Sequence, residues 1–283
     1  MTTRAADSHA SRASARPPVG ASADGALASR SVDRALAVLC SFSRETPALG
    51  VTELSERLDL TKSTVHRLLQ ALMARGLVAR DPDHRHYTLG YRILALANAV
   101  PGEADLRQIC RPHLQWLRSV TEETISLYAV AGDVRVCLDE LESPQMLRMS
   151  AGIGRCFPLD RGAAGKALLL DGPADADQWR RAANGLSVAR QAELTAELEL
   201  ARAHGYTQSN GETVPGAASL AAPIRDADGR IVAAVNVGAP ASRVTPEVTT
   251  QAAAALLEAT ARIERDLGAA YPHPLPVSAG GQW

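Results

Sequence analysis

Apolar residues recur at helical spacing in three short segments near the start of the chain. Val32, Ala35, Leu36, Leu39 and Phe42 fall on one face of a helix that the pattern starts at about Ser31. Gly50 and Val51 lead to Thr52, a residue suited to cap a second helix that turns Leu54 and Leu58 inward. Asp59 and Leu60 make a short turn. Thr61 then caps a third helix whose buried stripe is Val65, Leu68, Leu69 and Leu72. Gly76 stands where a C′ glycine ends a helix. Two short strands follow, around Val78–Arg80 and Tyr87–Leu89, joined by a turn containing Pro82 and Asp83. Pro101-Gly102 breaks the chain.

Beyond that break the spacing predicts a helix from Glu103 to Val120, striped by Leu106, Ile109, Cys110, Leu114 and Leu117. The pattern then becomes β-rich, with strands at Ile125–Val130, Val134–Leu141 and Met146–Ser150. Helices are predicted at Ala163–Leu170, Asp175–Ala183 and Gln191–His204. Strands return at Ala218–Ile224 and Ile231–Gly238, with a hairpin turn at Asp226–Gly229, and a helix over Pro246–Leu267 closes the pattern. The order implies an α+β domain with a mainly antiparallel sheet.

Composition adds limits. At 283 residues the chain is long enough for two domains, and 4% aromatic residues mean that Leu, Val, Ala and Ile fill the cores. Residues 1–27 are mostly Ala, Ser, Arg, Pro and Gly and are expected to be disordered, as is the Pro- and Gly-rich stretch after Ala270. The cysteines, Cys40, Cys110, Cys137 and Cys156, have no Cys-x-x-Cys or zinc-finger spacing and are expected to be reduced thiols. No run approaches the ~18 apolar residues of a membrane span, and the N-terminus has no apolar signal core. These features imply a cytoplasmic protein without a membrane partner.

Net charge is −1, so charge placement matters more than its total. The outer face of the third helix carries Lys62, Ser63, His66, Arg67 and Gln70, with Thr61 and Thr64 beside them. Arg and Lys bond guanine or phosphate, Gln pairs with adenine, and hydroxyls bond either. No acid occurs between Lys62 and Arg80, and His84 and Arg85 stand at the tip of the two-stranded wing. A short inter-helix turn, an acid-free third helix and a basic wing together imply a winged helix-turn-helix that binds double-stranded DNA.

The alternatives are a signalling module whose basic helix contacts protein, and an enzyme. Gly162-Ala163-Ala164-Gly165-Lys166-Ala167 hints at a phosphate loop, but a Walker A needs Gly where Asp160 stands and Ser or Thr where Ala167 stands. Gly-x-Ser-x-Gly is absent, and no catalytic triad or metal cluster is evident. No enzyme activity, metal or cofactor is expected.

Several motifs resemble the IclR family of bacterial regulators. They are Ser31-Val32-Asp33-Arg34-Ala35-Leu36, Leu54-Ser55-Glu56-Arg57-Leu58, Lys62-Ser63-Thr64-Val65-His66-Arg67-Leu68-Leu69 and Gly76-Leu77-Val78. Gly152-Ile153-Gly154, Gly165-Lys166-Ala167, Gly205-Tyr206, Gly211-Glu212 and Ala221-Ala222-Pro223-Ile224 follow in the same order. The resemblance implies a winged helix-turn-helix over 28–97, a linker helix over 98–120 and a GAF-like effector-binding domain over 121–270, between tails at 1–27 and 271–283. It further implies a transcriptional regulator, more often a repressor, controlled by a small organic or aromatic acid. It implies homodimers or dimers of dimers, assembled through the N-terminal and linker helices. The apolar stripe of the 103–120 helix agrees, since such a stripe needs something to cover it. The ligand positions it implies are Met149, Phe157, Ala163, Ala164, Ser209, Ala217, Ser219, Asn236 and Gly238. Met149 and Phe157 would make an apolar wall, and Ser209, Ser219 and Asn236 would hydrogen-bond the ligand. Ala163 and Ala164 would let an anion approach a helix N-terminus. Serines at 209 and 219, where some relatives carry an acid or a cysteine, imply a neutral pocket.

Overall fold

The structure is a computed structural model that describes residues 23–43, 46–81, 85–100, 103–171 and 176–271. The chain divides into two compact units between Ile93 and Leu94. Most of the two expected tails, and the break at Pro101-Gly102, lie outside the described residues.

The first unit begins with α1 (Ala23–Cys40), which starts within the segment expected to be disordered. Val38 is its buried residue and packs in one core with Phe42 just past its end, with Ala35 and Leu39 against them, while Val32 and Leu36 are exposed. Leu36 follows Ala35 by one residue, a rotation of about 100° that takes it off the core face. β1 (Ala48–Leu49) comes next, then α2 (Val51–Leu58) and α3 (Lys62–Ala74). The α2 cap is Gly50 rather than Thr52: the Gly50 N–H donates to Glu53 Oε2 at 2.7 Å. Leu49 is held in a strand against Tyr87, so the helix has to start directly after it. Asp59 takes a left-handed conformation (φ 50°) and ends α2. Thr61 accepts the Thr64 N–H at 3.3 Å and starts α3, whose Val65, Leu68, Leu69 and Leu72 are buried as the pattern required. Gly76 leaves the helix at φ 69°.

β2 (Val78–Arg80) and β3 (Tyr87–Leu89) form the wing, and β1 joins them in a three-stranded sheet of order β1-β3-β2. The third strand escapes a periodicity argument because two residues carry no period. α4 (Arg92–Ala97) follows.

In the second unit α5 (Glu103–Thr121) leads into β4 (Thr124–Ala131), β5 (Val134–Leu141) and β6 (Cys156–Pro158). α6 (Ala163–Leu168), α7 (Ala176–Ala183) and α8 (Val188–His204) precede β7 (Thr207–Asn210), β8 (Ala217–Arg225), β9 (Ile231–Pro240) and α9 (Pro246–Ala270). One antiparallel sheet of order β6-β5-β4-β9-β8-β7 results. The stretch Met146–Ser150 is not a strand, and Met146 is 98% exposed. Just beyond it, the N–H groups of Ala151 and Gly152 bond the Glu140 carboxylate instead of a neighbouring strand. β6 and β7 are edge strands too short or too polar to show a period.

One sheet face is apolar. Ile125, Leu127, Leu220, Ala222, Ile224, Val235 and Val237 pack there in one core with α5 and α9. The α5 stripe of Leu106, Cys110, Leu114 and Leu117 is buried in this core, with Ile109 packed against it. The stripe therefore does not need the partner subunit that its exposure next to a small domain would have called for. The stripe is covered by the domain's own sheet and by α9. Both Cys110 and Cys137 are buried, and burial pushes each thiol up to about 12, so they stay protonated. Cys40 and Cys156 are exposed, and all four are free.

Candidate functional site

On α3 the residues with reading chemistry point outward. Lys62, Ser63, His66, Arg67 and Gln70 are all exposed, while Val65, Leu68 and Leu69 between them are buried. Among the described residues no acid pairs with Lys62 or Arg67, so both cations face solvent uncompensated. Thr61 and Thr64 behave differently. Their hydroxyls meet at 2.9 Å around the cap, and Ser63 Oγ lies 3.1 Å from Thr61 Oγ1. These hydroxyls set the start of the helix. Arg85 is exposed near the wing tip with φ 53°, and the Asp81 N–H donates to the His86 carbonyl to close the turn. His84 lies outside the described residues.

The second candidate lies on the α6 face of the large sheet. Directly paired residues share a face, so cross-strand rows show how distant positions converge. Ser209, Ser219, Gly238 and Thr124 form one row. Thr207, Ala221, Asn236, Ser126 and Glu140 form the next. Apart from Thr207 and Ala221, these residues floor a cavity of about 140 Å³, and Met149, Phe157, Ala163, Ala164, Ser209, Ala217, Ser219, Asn236 and Gly238 all line it. A larger opening of about 590 Å³ lies beside β7 and the starts of α9 and β8; of those nine residues only Ser209 and Ser219 border it.

The cavity is not neutral. Arg135, Arg155 and Glu140 line it, together with Tyr128 and Thr213. Strict alternation along β5 would put Arg135 and Glu140 on opposite faces. A β-bulge prevents this: Leu127 pairs with Asp139 and Tyr128 with Cys137, leaving Leu138 as the extra residue. The bulge turns Glu140 onto the Ser126 side while Arg135 keeps the Val130 side, which is the same face. No sequence signal marked that bulge.

Glu140 is fully engaged. It accepts from Ser126 Oγ at 3.1 Å, Ser150 Oγ at 2.7 Å, and the N–H groups of Ala151 at 2.8 Å and Gly152 at 3.0 Å. It anchors the 143–155 loop along the cavity. Arg135 is 4% exposed. Its Nη1 donates to the carbonyls of Pro158 and Arg161, and its guanidinium lies 5.5 Å from the Tyr128 ring centroid and 5.2 Å from that of Phe157. Burial lowers its proton affinity from the ordinary arginine value. Burial also pushes the Tyr128 phenol up, so it stays a neutral hydroxyl.

The start of α6 differs from expectation. The Gly162 N–H there is already bonded to Glu212 Oε2 at 2.9 Å, and Glu212 also holds Lys166 Nζ at 2.6 Å. The anion at this helix start is the protein's own. The glycines of the phosphate-loop-like segment have a different use: they admit Arg135. A Cβ on Gly165 would meet Arg135 Nη1 at 2.6 Å and press on the Leu159 carbonyl. Gly165→Ala is therefore expected to lower the stability of this domain by about 1–3 kcal/mol, the usual cost of overpacking. Denaturant unfolding checks it; an unchanged midpoint would show that Leu159 yields freely.

Among the described residues no group of His, Cys, Asp or Glu is arranged to hold a metal. No described helix is long and apolar enough to cross a membrane.

Comparison with known proteins follows the same division. Residues 31–82 match the IclR helix-turn-helix domain, and residues 99–265 match the bacterial transcriptional regulator IclR C-terminal domain. The chain is 31% identical to the HTH-type transcriptional regulator KdgR of Escherichia coli K12, over 79% of this chain and 88% of that one. It is 29% identical to the HTH-type transcriptional repressor AllR of Salmonella typhimurium LT2, over 77% of this chain and 82% of that one. Among solved structures, an IclR transcriptional regulator from Alicyclobacillus acidocaldarius superposes with a TM-score of 0.69 at 26% identity, covering 84% of this chain and 99% of the other.

Proposed function

The chain belongs to the IclR family of bacterial DNA-binding transcriptional regulators, and we propose that it is a repressor released or retained by a small organic acid, aromatic acids included. The observation that carries the DNA reading is the exposed, acid-free face of α3, where Lys62 and Arg67 stand uncompensated beside Ser63, His66 and Gln70. Arg85 on the wing extends that footprint towards backbone or minor groove, and His84 is assigned the same role from its place in the sequence alone. The repressor assignment draws on relatives such as the repressor AllR. The acid assignment draws on the cavity lined by the nine residues above and by Arg135.

The working form is a homodimer, or a dimer of dimers, in the cytoplasm. Val32 and Leu36 on α1 are 57% and 53% exposed, and Leu94 and Leu96 on α4 are 60% and 54% exposed. Such apolar side chains support partner helices as their cover. Two heads in a symmetric dimer read half-sites about one helical turn of DNA apart, or multiples of it. The acid acts only through its differential affinity for two arrangements of the heads. The domain limits we assign are 28–97 for the DNA-binding head and 121–270 for the effector-binding, GAF-like domain, with 98–120 joining them.

A gel shift with the DNA upstream of the protein's own gene tests the reading. Binding that weakens steeply with salt is expected. No salt-sensitive binding to any fragment of that region would sink it.

A further inference from the structure

Two residues that line the small cavity each hold a buried polar atom with no hydrogen-bond partner among the described residues: Arg135 Nε and Thr213 Oγ1. Their two side chains meet at one glycine. A Cβ built on Gly162 would lie 2.6 Å from Thr213 Oγ1 and 2.8 Å from Arg135 Nη2. Gly162 is held at φ 75°, a conformation that favours glycine, and a side chain there would clash with both groups, so the glycine lets the Thr213 hydroxyl and the Arg135 guanidinium pack side by side against the backbone. Arg135 is 4% exposed, and among the described residues no carboxylate forms an ion pair with it. Its recorded partners are two neutral carbonyls and two aromatic rings. Asp160 and Glu212 act on this buried charge through space without bonding it, and an anion in direct contact would offset its burial further.

We infer that Arg135 and Thr213 together form the seat of the effector's carboxylate, so that Arg135 selects acids over their neutral analogues. This rests on the proposed reading of the cavity as the effector site. The charge balance favours a carboxylate over a phosphate. Asp160 and Glu212 already act on Arg135 from nearby, and a dianion would add repulsion that a monoanion largely avoids. The cavity of about 140 Å³ falls below the ~300 Å³ lower end of drug-sized pockets, which fits a compact acid. The other resident acid does not compete, because Glu140 already accepts four hydrogen bonds. The remaining polar positions, Ser209, Ser219 and Asn236, then face the rest of the ligand.

The test is titration calorimetry on the full chain at fixed ionic strength. The probes are pyruvate and benzoate, each against its amide, with inorganic phosphate as a third arm. At least one acid is expected to bind, with its amide roughly 10–100-fold weaker, the range of a charge-assisted hydrogen bond. Arg135→Met should erase that preference by weakening the acid alone. Arg135 also supports two backbone carbonyls, so Arg135→Met can fail to fold, and Thr213→Val is the second variant. It keeps the shape and removes a hydroxyl that has no partner. It should weaken the acid roughly 2–10-fold at an unchanged melting temperature. Amides binding as tightly as acids, phosphate binding in their place, no acid binding, or an unaltered Thr213→Val would each overturn the seat. The outcomes separate from those of the regulator reading. An acid that binds through Arg135 without altering operator affinity leaves the seat and removes the effector role. Operator affinity that responds to acid equally in the wild-type chain and in both variants does the reverse.

Discussion

Leu114→Ala is expected to destabilise the second domain by about 2–5 kcal/mol, and by the same amount at any protein concentration. Leu114 is fully buried in the core that α5 shares with the sheet and α9. Truncation removes the transfer free energy of the lost carbons and leaves a cavity among rigid neighbours. The two sources of cover for the α5 stripe predict different behaviour. A seam between subunits is linked to association, so its loss would depend on protein concentration. A seam inside one domain is not. Denaturant unfolding of wild type and variant at two concentrations well apart distinguishes them. A stability loss that grows on dilution would return the stripe to the subunit interface.

The double variant Lys62→Ala with Arg67→Ala is expected to lower operator affinity by about 10²–10⁴-fold. Each side chain contributes roughly 1–3 kcal/mol if it reads a base, and the two lie five positions apart on an exposed face. Neither makes a side-chain contact that the fold requires, so the melting temperature should not move. The single variants separate the roles. Where the side chain reads a base, discrimination at one operator position relaxes. Where it holds phosphate, all sequences weaken alike and the salt slope falls by about 1. Fluorescence anisotropy against operator and unrelated duplexes, over a salt series, reads both quantities. Full affinity in the double variant would remove α3 as the reading helix.

Much of the fold was legible from local pattern. The stripe Val65, Leu68, Leu69 and Leu72 predicts the buried face of α3, and the same periodicity predicts its basic outer face. Thr61 and Gly76 mark its ends because capping chemistry is local. The Asp226–Gly229 turn is legible for the same reason: the Asp226 N–H bonds the Arg230 carbonyl, and the Gly229 N–H bonds the Asp226 carbonyl. Thr52 was misread as a cap because the residue before the helix is placed by a strand partner, Tyr87, 38 positions further on.

The chain by itself therefore determined the helices of the DNA-binding head, its reading face and the alternation of the long strands. All of these depend on residues within a turn or two of each other. Tertiary structure alone decided three matters. It chose what covers the α5 stripe, since periodicity reports that a face is buried but not against what. It placed Glu140 beside Arg135, because a bulge at Leu138 reverses the parity of β5 and is set by pairing with β4. It gave Gly162 and Gly165 their purpose as the hollow around a guanidinium that comes from another strand. In each case the deciding contact joins residues far apart in sequence, and only the folded chain brings them together.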